Sequence, residues 1–145
     1  MNLIQKLAYN PITKAIQAIL PGGVSLRLPD YEEGTFNALL GGCTTTPTVT
    51  AKYVRSGKNV TITIPANTAT SNTTACTIQN MPTQIAPLSQ VSFYGRSINS
   101  SVSAIANFEI ATSGLITFYS SISSSAFTAS GLKGHGDLSF SYTLT

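Results

Sequence analysis

From residue 34 onward, apolar and polar positions alternate with a period of two. Val60, Ile62 and Ile64 alternate with Thr61 and Thr63, and Val49, Ala51 and Tyr53 alternate with Thr50, Lys52 and Val54. Ser56-Gly57-Lys58-Asn59 separates the two runs as a turn, so this region predicts a hairpin with β-branched residues inward and threonines outward. Leu138, Phe140, Tyr142 and Leu144 alternate with Ser139, Ser141 and Thr143 and predict the clearest strand. Further strands are predicted over 35–40, 74–78, 89–94, 102–110 and 115–119. The Thr/Asn-rich stretch 67–72 is expected to be a loop, Ser120–Ser125 a loop or edge, and Gly131–Gly136 a glycine-rich turn. About eight short strands with no helix between them predict an all-β, antiparallel β-sandwich, with a jelly-roll-like arrangement the natural one at that strand number.

The first twenty residues carry a different spacing. Leu3, Ile4 and Leu7 sit on one helical face, as do Ile12, Ala15, Ile16 and Ile19. Asn10 and Pro11 have the chemistry of a helix start, and Pro21-Gly22-Gly23 that of a stop, so a short helix is expected over 11–20. Gly22-Gly23 reads as a hinge and 24–29 as an extended connector. The chain is therefore expected to divide into an N-terminal attachment segment, 1–33, and a β-sandwich domain, 34–145. Leu3, Ile4, Leu7, Ile12, Ile16 and Ile19 are the residues expected to dock the segment into a partner.

Composition alters this picture in one respect. Only 9% of the 145 residues are charged, against about 25% in ordinary soluble domains, while 38 are Ser or Thr. The surface is solvated mainly by hydroxyls and amides. The net charge of +3 comes from scattered cations, with Lys52, Arg55 and Lys58 flanking the hairpin turn, and no basic stripe for nucleic acid is formed. No apolar run approaches the roughly 18 residues needed to cross a membrane. Gln5, Lys6, Asn10 and Lys14 interrupt the apolar start, so a secretory signal is not expected.

Candidate chemistry is sparse. His135 is the only histidine, and His135-Gly136-Asp137 places a base and a carboxylate too close in sequence for a triad geometry. It reads as an exposed turn histidine. Glu32 and Glu33 point to opposite faces of an extended strand. Cys43 and Cys76 lie in strand-like contexts, where each reads as a small buried hydrophobe, or as half of a bridge if their strands pair. No enzyme, cofactor or metal site is expected. Tyr94 and Tyr119 are candidate contacts for a glycan or a neighbouring subunit, whereas Tyr142 shares the apolar face of its strand and is expected in the core.

Gly34-Thr-Phe-Asn-Ala-Leu-Leu-Gly-Gly42 is followed by Ala51-Lys-Tyr-Val-Arg-Ser-Gly-Lys-Asn-Val-Thr-Ile-Thr-Ile64, then by Thr77-Ile-Gln-Asn-Met-Pro82 and the terminal Gly136–Leu144 strand. This series, across about 34–144, resembles the β-domains of tailed-bacteriophage virion proteins, of the tail-fibre, receptor-binding-head, capsid-decoration or head-fibre type. The resemblance implies a β-sandwich, often trimeric, that attaches or decorates. A long fibre stalk is not part of this sequence. The expectation is a non-enzymatic virion structural protein, located on the particle. It would dock onto capsid, collar or tail proteins and form a homo-oligomer, with a trimer favoured. The alternative is a receptor-binding module for a host-surface glycan or protein.

Overall fold

The computed structural model describes residues 31–145 in full and, before them, the backbone of three strands. These are β1 (Lys6–Asn10), β2 (Ala15–Ile19) and β3 (Ser25–Arg27), which form a three-stranded antiparallel sheet of their own. The helix expected over 11–20 is corrected here: its second half is strand. Five residue pairs join β1 to β2, from Lys6 opposite Ile19 to Asn10 opposite Ala15. Ile16 and Ile19 are β-branched, which favours strand, and in so short a run pairing with β1 overrides their helical spacing. Leu7 lies in β1 and Ile16 and Ile19 in β2, while Leu3, Ile4, Ile12 and Gly22-Gly23 lie outside the described residues.

The remaining strands are β4 (Tyr31–Gly41), β5 (Thr48–Ser56), β6 (Asn59–Ile64), β7 (Asn67–Thr70), β8 (Thr77–Gln79), β9 (Val91–Asn99), β10 (Val102–Ile110), β11 (Ile116–Phe118), β12 (Leu132–His135) and β13 (Leu138–Thr143). A single 3-10 turn at Thr83–Ile85 is the only helical element among the described residues. All ten strands belong to one antiparallel sheet in the order β13-β6-β5-β4-β8-β11-β10-β9-β12-β7. It curls into a half-barrel. The expected eight-stranded jelly-roll sandwich is therefore corrected to one continuous ten-stranded sheet.

Two of the added strands come from segments whose composition reads as irregular. β7 occupies the expected Thr/Asn loop and β12 the expected glycine-rich turn. β12 pairs with both β7 and β9, with Gly134 opposite Thr68 on one side and Ile98 on the other. Gly134 has φ +152°, and a Cβ there would run into the Asn67 carbonyl. A glycine thus permits the close approach of two strands here and is not the mark of a turn.

The expected hairpin is present. β5 and β6 join through Gly57 and Lys58, with Gly57 at φ +60° and Ser56 paired with Asn59. Val60, Ile62 and Ile64 are fully buried, and Thr61 and Thr63 are exposed. β13 pairs with β6 along six residues and buries Leu138, Phe140 and Tyr142 on the same side. Across the barrel, Phe140 stacks on Phe93 of β9 at 4.0 Å, Phe93 on Phe108 of β10 at 5.1 Å, and Phe108 on Phe118 of β11 at 4.7 Å. Since β13 is an edge strand and β9 lies seven places along the sheet, this contact marks the curl. The buried Tyr142 hydroxyl donates to the Ile85 carbonyl, fixing the 3-10 turn over one end of the core.

Replacing Phe108 by Ala removes an inner ring of that stack and leaves a cavity at a fully buried position. A loss of about 3–5 kcal/mol is expected from urea unfolding. A loss below about 1 kcal/mol would show that the stack does not carry the core.

Candidate functional site

Every second residue of β9 and β10 points out of the barrel. Cross-strand pairing sets Tyr94 beside Asn107, Arg96 beside Ile105, and Ile98 beside Ser103. The chain continues past β11 so that the Tyr119 amide donates to the Asn107 carbonyl at 3.1 Å. Tyr94, Asn107 and Tyr119 therefore form one row across three neighbouring strands, about 10 Å from end to end. The two tyrosines singled out in the sequence are brought onto one face.

The side chains of this face are held by one another. Asn107 Nδ2 donates to Glu109 Oε1 at 3.0 Å and to Ser124 Oγ at 3.3 Å, and the Tyr119 hydroxyl donates to Glu109 Oε2 at 3.3 Å. Burial and the neighbouring Glu109 raise the Tyr119 pKa, so the phenol stays protonated and remains a donor. Arg96 donates from Nε (3.2 Å) and Nη2 (2.9 Å) to Ser103 Oγ, which lays it along the surface. Tyr94 is 71% exposed and Ile105 60%. On β6 and β13 the outward positions carry hydroxyls, and Thr61 and Ser141 hydrogen-bond at 2.8 Å, while Val54 and Leu132 are exposed apolar residues on β5 and β12.

A second group of polar residues faces inward. Lys133 is fully buried, and its Nζ donates to the carbonyls of Thr73 (2.8 Å) and Ala75 (2.6 Å) with the Phe127 ring at 5.7 Å. These contacts offset the cost of burying an ammonium group and tie the β7–β8 connection to β12. His135, on the same side of β12, is 1% exposed, with its ring edge-on to Phe118 and Nδ1 at 2.8 Å from the Gly136 carbonyl. The expectation of an exposed turn histidine is corrected, because β12 is an inner strand. Burial pushes the His135 pKa down from 6.5, while the Gly136 carbonyl and Asp137 oppose that shift. Cys43 and Cys76 are both buried free thiols, and burial pushes Cys76 up to about 12. Among the described residues no three of His, Cys, Asp and Glu gather as a metal site.

A shallow cavity lies at the start of β4 and the facing part of β5, lined by Glu33, Gly34, Thr35, Lys52, Tyr53 and Val54. Next to it the Tyr53 hydroxyl donates to Glu32 Oε1 at 2.8 Å and accepts from Gln84 Nε2 at 3.4 Å. These contacts brace the 3-10 turn against the β4–β5 hairpin. No helix among the described residues is long and apolar enough to cross a membrane.

No family model and no curated protein matches the chain. Among solved structures, a similar one is the reovirus attachment protein sigma1 in complex with alpha-2,3-sialyllactose. The sequences are 13% identical with a TM-score of 0.49, and the match covers 95% of this chain and 75% of that one. That neighbour is a viral attachment protein.

Period-two reading assigns Ile105 to the outer side of β10 and Arg96 to that of β9. It carries no sign that they are cross-strand neighbours, because that depends on the β9–β10 register. The burial of Lys133 and His135 has no sequence signal beyond their spacing of two.

Between the ordinary histidine value of 6.5 and the lower folded value, the unfolded chain takes up a proton that the folded chain does not. The stability tied to neutral His135 is complete above pH 6.5 and is lost as the pH falls through that window. Urea midpoints measured from about pH 7.5 to about pH 5 are expected to drop, and His135→Gln to flatten the drop. An unchanged slope in the variant would assign the titration to another group.

Proposed function

We propose that this chain is a non-enzymatic structural protein of a tailed-phage particle: a capsid-decoration, head-fibre or small tail component. It docks through residues 1–33 and forms a homo-oligomer through residues 34–145. The observation that carries this reading is the outer face of β9 and β10. Tyr94 and Ile105 are largely exposed there and stand as diagonal neighbours on adjoining strands. An apolar surface of this kind fits an interface better than a solvated wall. The resemblance of 34–144 to phage virion β-domains supports the same reading. So does the placement of the lone histidine and both cysteines in the core, where they hold structure and face no open cleft.

Deleting residues 1–20 is expected to leave the β-domain folded, with an unchanged thermal midpoint, and to abolish incorporation into particles. Incorporation of the truncated chain at the wild-type level would rule out docking through this segment.

A second reading, a receptor-binding module for a host-surface glycan, draws on the Tyr94–Asn107–Tyr119 row. A flat aromatic ring stacks on the apolar face of a sugar, and an adjacent amide hydrogen-bonds its hydroxyls. Under this reading the purified protein binds host cells or a glycan array saturably, and Tyr94→Ala lowers the affinity at least about tenfold, a difference of about 1.4 kcal/mol. Absence of saturable binding at millimolar glycan would exclude it.

A further inference from the structure

We propose that the outer face of β9 and β10 is covered by a second copy of this chain in an isologous, two-fold contact. This rests on the reading that the β-domain forms homo-oligomers; it names the surface and puts a two-fold pair in place of the trimer that the resemblance implies. The face is self-complementary. Arg96, with Ile105 beside it, stands toward one end of the exposed strip and Glu109 toward the other, with Tyr94 and Asn107 in the row between them. Ile105, the cross-strand partner of Arg96, and Glu109 are four residues apart on β10, about 13 Å along the strand. A two-fold axis lying in the interface and crossing the strands midway places each Arg96 opposite Glu109 of the other copy. The same operation brings the Tyr94–Asn107 rows of the two copies together at the axis, as the geometry of an isologous contact requires, and sets each Ile105 at the Ser92–Glu109 end of the other copy.

Both charged groups are already positioned for this. The Arg96 guanidinium uses two of its N–H groups on Ser103 Oγ, and the rest of its five donors remain for a carboxylate. Glu109 is held from both sides by Asn107 and Tyr119, through hydrogen bonds that leave acceptor capacity on each oxygen. Little side-chain freedom is then lost on docking. A glycan or an unrelated protein has no need of a cation and an anion matched to one another across a centre. A second copy does.

The test is sedimentation of the full chain over a range of concentrations, with thermal melts confirming that each variant is folded. The wild type is expected to dimerise reversibly, and more weakly at high salt. Arg96→Glu or Glu109→Arg sets like charges against each other twice in each dimer, and is expected to weaken dimerisation by about tenfold or more. An equimolar mixture of the two variants brings opposite charges together again at both places and is expected to re-form the dimer. Glu109→Gln keeps the Asn107 contact and removes only the charge, so it gives an intermediate loss. Single variants that dimerise like the wild type, or a mixture that stays monomeric, would overturn the contact. An oligomer indifferent to all these changes overturns this surface but leaves the proposed role standing, whereas a wild type that is monomeric throughout overturns oligomerisation as well.

Discussion

The stacked phenylalanines at the centre of the barrel are the contact on which the rest of the structure depends. Phe140 belongs to one edge strand, and Phe93, Phe108 and Phe118 to three adjoining strands on the far side of the curl. A ten-stranded sheet left flat would expose an apolar face along its whole length. Curling it until its two halves meet through these rings buries that face and brings β13 against β9. Each ring-to-ring contact adds to the area burial that drives the curl. The outward faces of β9 and β10 follow from the same event, because the positions between the buried rings must point to solvent.

The second constraint is polar. β12 carries Lys133 and His135 into the interior on alternate positions, and both are satisfied by backbone carbonyls. Lys133 gathers the connection after β7, and His135 closes the turn into β13. The glycine between them lets β7 approach closely. A four-residue strand thus ties together the end of the sheet that the phenylalanine stack does not reach.

The buried polar groups of β12 thus serve the fold. Much of the surface is hydroxyl, which is neutral toward partners. On the strip of β9 and β10 the exposed Tyr94 and Ile105 adjoin a positioned cation, Arg96, and the Tyr94–Asn107 row separates that cation from a positioned anion, Glu109. Hydrogen bonds within the face hold these groups in place before anything binds.

The sequence by itself determined which side of each well-patterned strand is buried. Thr61 and Thr63 against Ile62 and Ile64, and Ser139 and Ser141 against Phe140 and Tyr142, decide this through a period of two, and β10 has the bounds its pattern predicts. The class, all-β and antiparallel, follows from the number of such runs. Alternation states a side and not a neighbour. It therefore left open the sheet order, the pairing of Arg96 with Ile105, and the row that joins Tyr94 to Tyr119. The strands β7 and β12 were hidden because their residues favour loops locally and are held extended by partners distant in sequence. Residues 15–19 have helical spacing, and pairing with Lys6–Asn10 overrides it. The buried state of His135 was likewise decided only when β12 was enclosed between β7 and β9, since a single histidine among glycines has no pattern from which its environment can be read.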